Sequence, residues 1–77
     1  MPDPRHEVFR AARDYYDAAA RYWRAARKRE DMETPTQELL GRSLFYDAAL
    51  KRCNEDWSAR RRDALRRRIW LLSARYG

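Results

Sequence analysis

Cysteine occurs once in these 77 residues, at Cys53, and histidine once, at His6. That excludes a disulfide framework and the Cys and His clusters that hold structural zinc. With only two glycines there is no glycine-rich phosphate loop, and no nucleophile is set beside a histidine base. No apolar run reaches the length of a signal peptide or a membrane span, and the opening Met1-Pro2-Asp3-Pro4-Arg5-His6 is polar. The three prolines stand at positions 2, 4 and 35, outside every periodic segment. Together these absences argue against catalysis, a metal or a cofactor. The single unpaired cysteine fits a reducing compartment, so a cytoplasmic location is expected.

What is abundant is helical text. Three consecutive heptads share one pattern, starting at Val8, Tyr15 and Tyr22. Each has two bulky residues, a charged one, two mostly small ones and two further positions. Val8, Tyr15 and Tyr22 therefore share one line with Ala12, Ala19 and Ala26 beside it, the alternating three-and-four spacing of a helix-packing seam. The alanines let a facing backbone approach closely, and Phe9, Tyr16 and Trp23 can close over the sides.

The spacing predicts an all-α fold. The first helix should run from about Pro4 to Glu30, with Asp3 as its cap and Glu7 in its first turn. A polar turn follows at 31–34. Thr34 and Gln37 form a capping-box pattern, which starts a second helix near Pro35. Its seam is Leu39, Ser43, Tyr46, Leu50, Cys53 and Trp57. A lapse at residues 58–63 separates it from a second seam of Leu65, Ile69, Leu72 and Tyr76, with Trp70 and Leu71 lying off the line.

Two architectures fit that lapse. One is a helical hairpin whose second helix runs unbroken to residue 76 and uses its distal seam on another subunit. The other is a three-helix bundle, with Asn54, followed by Glu55 and Asp56, capping a third helix. The absence of glycine and proline from 42 to 76 favours the hairpin. So small a chain buries a modest core, worth only about 3 to 5 kcal/mol. Without disulfides or metal, self-association is the expected supplement, as a homodimer completing a four-helix bundle by two-fold pairing.

The net charge of +6 is uneven. Residues 1–31 carry +2, residues 32–59 carry −2 and residues 60–77 carry +6. Arg61, Arg62, Arg66 and Arg67 surround the last seam, and sixteen of the eighteen basic residues are arginine, suited to bidentate contact with carboxylate or phosphate. Acidic side chains such as Asp14, Asp17 and Asp47 are expected in surface ion pairs. There are more aromatic side chains than a hairpin interior can hold, so Trp23 and Trp70 are the expected partner-contacting anchors, with Tyr16 a further candidate. An acidic protein surface is the first expected partner. Nucleic acid, bound nonspecifically by the arginines, is the alternative. A membrane surface is disfavoured because the apolar stripe is short and needed for the core.

One further pattern carries a resemblance. An aromatic-rich first helix with a late Trp23, a polar turn, and a second helix opening with Arg42-Ser43-Leu44-Phe45-Tyr46-Asp47-Ala48-Ala49-Leu50 resembles small phage-encoded helical-hairpin proteins that inhibit host regulators, of the quorum-sensing antiactivator type. It covers residues 16–50 and leaves out the arginine-rich end. The resemblance implies a homodimeric binder that blocks a host protein without catalysis.

Overall fold

The computed structural model describes residues 3–76, which form three helices and no strand: α1 (Pro4–Lys28), α2 (Glu33–Leu50) and α3 (Glu55–Tyr76). The Asp3 carboxylate caps α1 by accepting from the Arg5 backbone N–H at 3.0 Å. The Arg5 guanidinium also donates to that carboxylate and draws its pKa down to about 2. At the other end Arg29 takes a left-handed conformation (φ 56°), while Glu30 N–H donates to Ala25 O at 3.1 Å. The closing reversal thus forms without glycine, with Arg27 and Lys28 placed to offset the negative end of the helix.

α2 starts two residues before the expected Pro35. Asp31 Oδ1, not the Thr34 hydroxyl, accepts from the first-turn Glu33 N–H at 3.1 Å. Proline costs nothing there, because a first-turn nitrogen has no intrahelical acceptor to lose.

The unbroken second helix does not form; the three-helix alternative is the one observed. α2 ends at Leu50. The chain then tightens, with Arg52 N–H donating to Ala49 O and Cys53 N–H to Leu50 O. Asn54 Oδ1 accepts from Asp56 N–H (2.9 Å) and Trp57 N–H (3.2 Å), and acidic Glu55 and Asp56 fill the first turn of α3. A strong cap therefore breaks the helix where neither glycine nor proline stands.

α1 is the common wall. The pairs Glu7–Arg52, Tyr15–Tyr46 and Arg21–Glu38 show that α2 runs antiparallel to it. The pairs Phe9–Arg61 and Tyr16–Arg68 show that α3 runs parallel to it, at a constant offset of 52 positions. α2 and α3 diverge from each other, and the molecule is elongated, 43 × 21 × 14 Å.

The core joins Val8, Tyr46, Ala49, Leu50 and Leu65, with Ala12, Tyr15, Trp57 and Ile69 packed against it. Ala18, Ala19 and Ala25 are buried further along α1, as is Leu72 on α3. Tyr22 is half-buried. The distal seam, expected on another subunit in the hairpin architecture, thus serves the chain's own core through Leu65 and Ile69. Cys53 is a half-buried part of the packing, its thiol directed at Ala49 O at 3.8 Å.

Candidate protein-interaction surfaces

The periodicity of α3 sorts six of its seven arginines into two groups, the seventh, Arg75, lying 5.8 Å from the ring centre of its neighbour Tyr76. Arg61 and Arg68, seven residues apart, share the side facing α1. The Arg61 guanidinium lies 5.2 Å from the Phe9 ring centre and 5.8 Å from that of Trp57, and these two rings meet edge to face at 5.9 Å. Arg68 lies 4.9 Å above Tyr16. A guanidinium over an aromatic face is held electrostatically and shields apolar carbon from water. Arg61, expected at a partner surface, is therefore engaged within the chain, and Tyr16 is half-buried beneath Arg68 rather than free.

Arg60, Arg62, Arg66 and Arg67 form the second group; they are exposed, as Arg61 and Arg68 also are, but stack on none of these rings. Among the described residues no ion pair involves an arginine of α3. Arg62 and Arg66 border a groove between α2 and α3 floored by Tyr15, Tyr46 and Leu65. Burial pushes the Tyr46 phenol pKa up, an effect partly opposed by Arg61 and Arg62.

On the outer side of α3, Arg66 and Arg67 flank Trp70 and Leu71, which are 68% and 60% exposed. Each residue sits one turn from its counterpart, so two cations and two large apolar groups make a single patch. Trp23 takes no part in it: it is half-buried, edge to face with Tyr22 at 5.4 Å. Of the six expected contact residues, the structure gathers Arg66, Arg67 and Trp70, sets Arg62 on the neighbouring groove, and gives Arg61 and Trp23 intramolecular partners.

A second exposed apolar surface lies on α2. Leu40, Leu44 and Phe45 on α2 are 61%, 62% and 69% exposed, on the side of α2 away from the Tyr46–Leu50 core. Their signal was present, since 40, 44 and 45 with Ala48 make a second helical stripe. It was masked by the stronger stripe through Tyr46 and Leu50.

The ion pairs formed are Arg5–Asp3, Arg21–Glu38 and Arg52–Glu7, all exposed; Asp14, Asp17 and Asp47 are in none of them. Among the described residues no cluster of three or more His, Cys, Asp or Glu side chains is placed to hold a metal, and no helix is long and apolar enough to cross a membrane. The chain matches no protein-family model, no curated protein and no solved structure.

Proposed function

We propose that this protein is a small, non-catalytic, cytoplasmic regulator or inhibitor that works by binding another protein, and that it does so as a homodimer. The observation that carries the reading is the Arg66–Arg67–Trp70–Leu71 patch. Exposed tryptophan is costly to leave in water, and tryptophan with arginine is the composition of interface anchors. The flanking charges select a partner whose apolar pocket has an acidic rim, since opposite potentials steer encounter and fix orientation. The phage-type inhibitors that residues 16–50 resemble would act in the same general way. In this chain that segment falls on the α1–α2 pair, so the arginine-rich α3 would be its own addition.

One observation favours a second reading, nonspecific nucleic-acid binding. The outward arginines 60, 62, 66 and 67 have no acidic partner among the described residues, as phosphate contacts require. Trp70 and Leu71 tip the balance toward protein, because phosphate binding alone gives no reason for a large apolar pair at the centre of the patch.

A photo-crosslinking amino acid at position 70, activated in the native host cell, separates the readings. The expected result is one dominant protein adduct, lost when Arg66 and Arg67 are changed to glutamine. Adducts to nucleic acid alone would transfer the function to the second reading, and no adduct of either kind would overturn both. Once the partner is in hand, Trp70→Ala should weaken binding by about 2 kcal/mol or more, roughly 30-fold.

A further inference from the structure

α2 is apolar on two sides, and this chain covers only one of them. Tyr46, Ala49 and Leu50 face the core, while Leu40, Leu44 and Phe45 stand in solvent with Ala48 exposed beside them. A helix apolar on both sides is a helix built to be covered on both. We infer that the outer face of α2 is the homodimer interface, covered by α2 of a second copy running antiparallel to it. The inference rests on the homodimer of the proposed function and specifies its surface, which the sequence pattern had placed elsewhere, on the long seams.

Two features select a second copy in this orientation. The first is charge. From 31 to 41 the chain carries Asp31, Glu33 and Glu38 with no basic residue, and from 42 to 52 it carries Arg42, Lys51 and Arg52 against the single Asp47. Glu38 and Arg52 also pair with Arg21 and Glu7 of their own protomer, which leaves Asp31, Glu33 and Lys51 as the charges at the two ends that are unpaired among the described residues. Parallel helices would set like charge beside like. Antiparallel ones set the acidic N-terminal end of each against the basic residues that flank the C-terminal end of the other, and oppose the helix dipoles.

The second is shape. A two-fold axis between Leu44 and Phe45 brings Leu44 of one copy to Phe45 of the other, and Gly41 to Ala48, with Glu38 toward Lys51. Large residues then meet at the centre and small ones on either side. Gly41 supports this independently. It has no positive φ, and a side chain added there would meet nothing within 4 Å. The protomer has no use for that glycine in the middle of a helix, where it weakens helix formation. Close approach of a second helix gives it one.

Light scattering on a sizing column, over a concentration series reaching about 1 mM, tests the inference. The wild-type chain should give twice the mass of 9.4 kDa. Leu44→Glu should give the single mass with unchanged helical ellipticity, since the side chain is exposed in the protomer. A wild-type monomer throughout would overturn both this interface and the homodimer. A dimer indifferent to Leu44→Glu would leave the homodimer standing and overturn this face.

Orientation is read by oxidation in a Cys53→Ser background. Leu44→Cys lies at the axis and should form a disulfide-linked dimer. Leu40→Cys should not, because antiparallel packing separates the two copies of position 40 by about 13 Å along the helix. Linkage at both positions would indicate parallel helices and overturn the proposed register.

Discussion

The Ser58 hydroxyl donates to the Leu50 carbonyl oxygen at 2.8 Å, tying the first turn of α3 to the last residue of α2. Ser58 is the buried polar residue of the core region, and the carbonyl it reaches also accepts from Cys53 N–H at 3.0 Å. One acceptor thus holds both sides of the bend. Ser58→Ala keeps the Cys53 bond and loses the other, so the expected cost is about 1 kcal/mol. In a domain of this size that lowers the melting temperature by about 4 to 8 °C, readable by thermal circular dichroism.

Asn54 controls the same bend from the α3 side, through its two bonds to Asp56 and Trp57. Asn54→Ala should destabilise the protein by about 1 kcal/mol and Asn54→Asp by much less. Small-angle scattering gives the complementary readout. In the monomeric Leu44→Glu background both variants should keep a radius of gyration near 13.3 Å, the Cα value of one folded chain. A larger value for Asn54→Ala would mean that the cap alone prevents α2 and α3 from fusing into one rod, about 60 Å long for 40 residues.

These two side chains also explain how much could be read from the sequence. The all-helical class, the start of α1 at Pro4 and the inward line from Val8 through Tyr15 follow from period and capping, which are local properties. The break at 51–54 was legible only as an alternative. A lone asparagine is a weaker signal than proline, and its force here comes with the Ser58–Leu50 bond, which exists only after α3 has folded back. The patch centred on Trp70 was legible because that residue lies off the α3 seam. The placing of Arg61 over Phe9 was not, since no sequence period relates residues 52 positions apart, although Trp57, one helical turn before Arg61, is a neighbour that the period does give.

The two groups of α3 arginines should differ in what neutralisation costs the fold. Arg61→Gln removes the cation over Phe9 and Trp57 and should cost about 0.5 to 1 kcal/mol in urea unfolding. Arg66→Gln, on the exposed patch, should change stability by less than about 0.5 kcal/mol. Equal losses would place Arg66 in the fold rather than on a binding surface.

Leu50 is 1% exposed and meets Val8, Tyr46 and Leu65 where the three helices converge. Leu50→Ala should cost about 2 to 5 kcal/mol, the range for a buried leucine truncated to alanine. That is comparable to the whole stability expected of so small a core, about 3 to 5 kcal/mol. The variant should therefore be largely unfolded at room temperature by circular dichroism. If self-association contributes, raising the protein concentration should restore part of the helical signal by mass action.

Tyr46 links the fold to alkaline pH. Burial raises its pKa above the ordinary value of about 10, so the folded state holds the phenolic proton more tightly than the unfolded chain does. Between the two pKa values the unfolded state binds fewer protons, and stability falls as pH rises. The contribution is intact below pH 10 and is lost progressively as pH climbs through the folded-state pKa. Helical ellipticity should then decline along with the rise of phenolate absorbance assigned to Tyr46. Tyr46→Phe removes the ionisable group and keeps the ring that meets Tyr15 edge to face at 5.8 Å. It should shift the alkaline transition to higher pH and leave neutral stability nearly unchanged. An unshifted transition would assign the alkaline loss to other residues and exclude Tyr46 as its trigger.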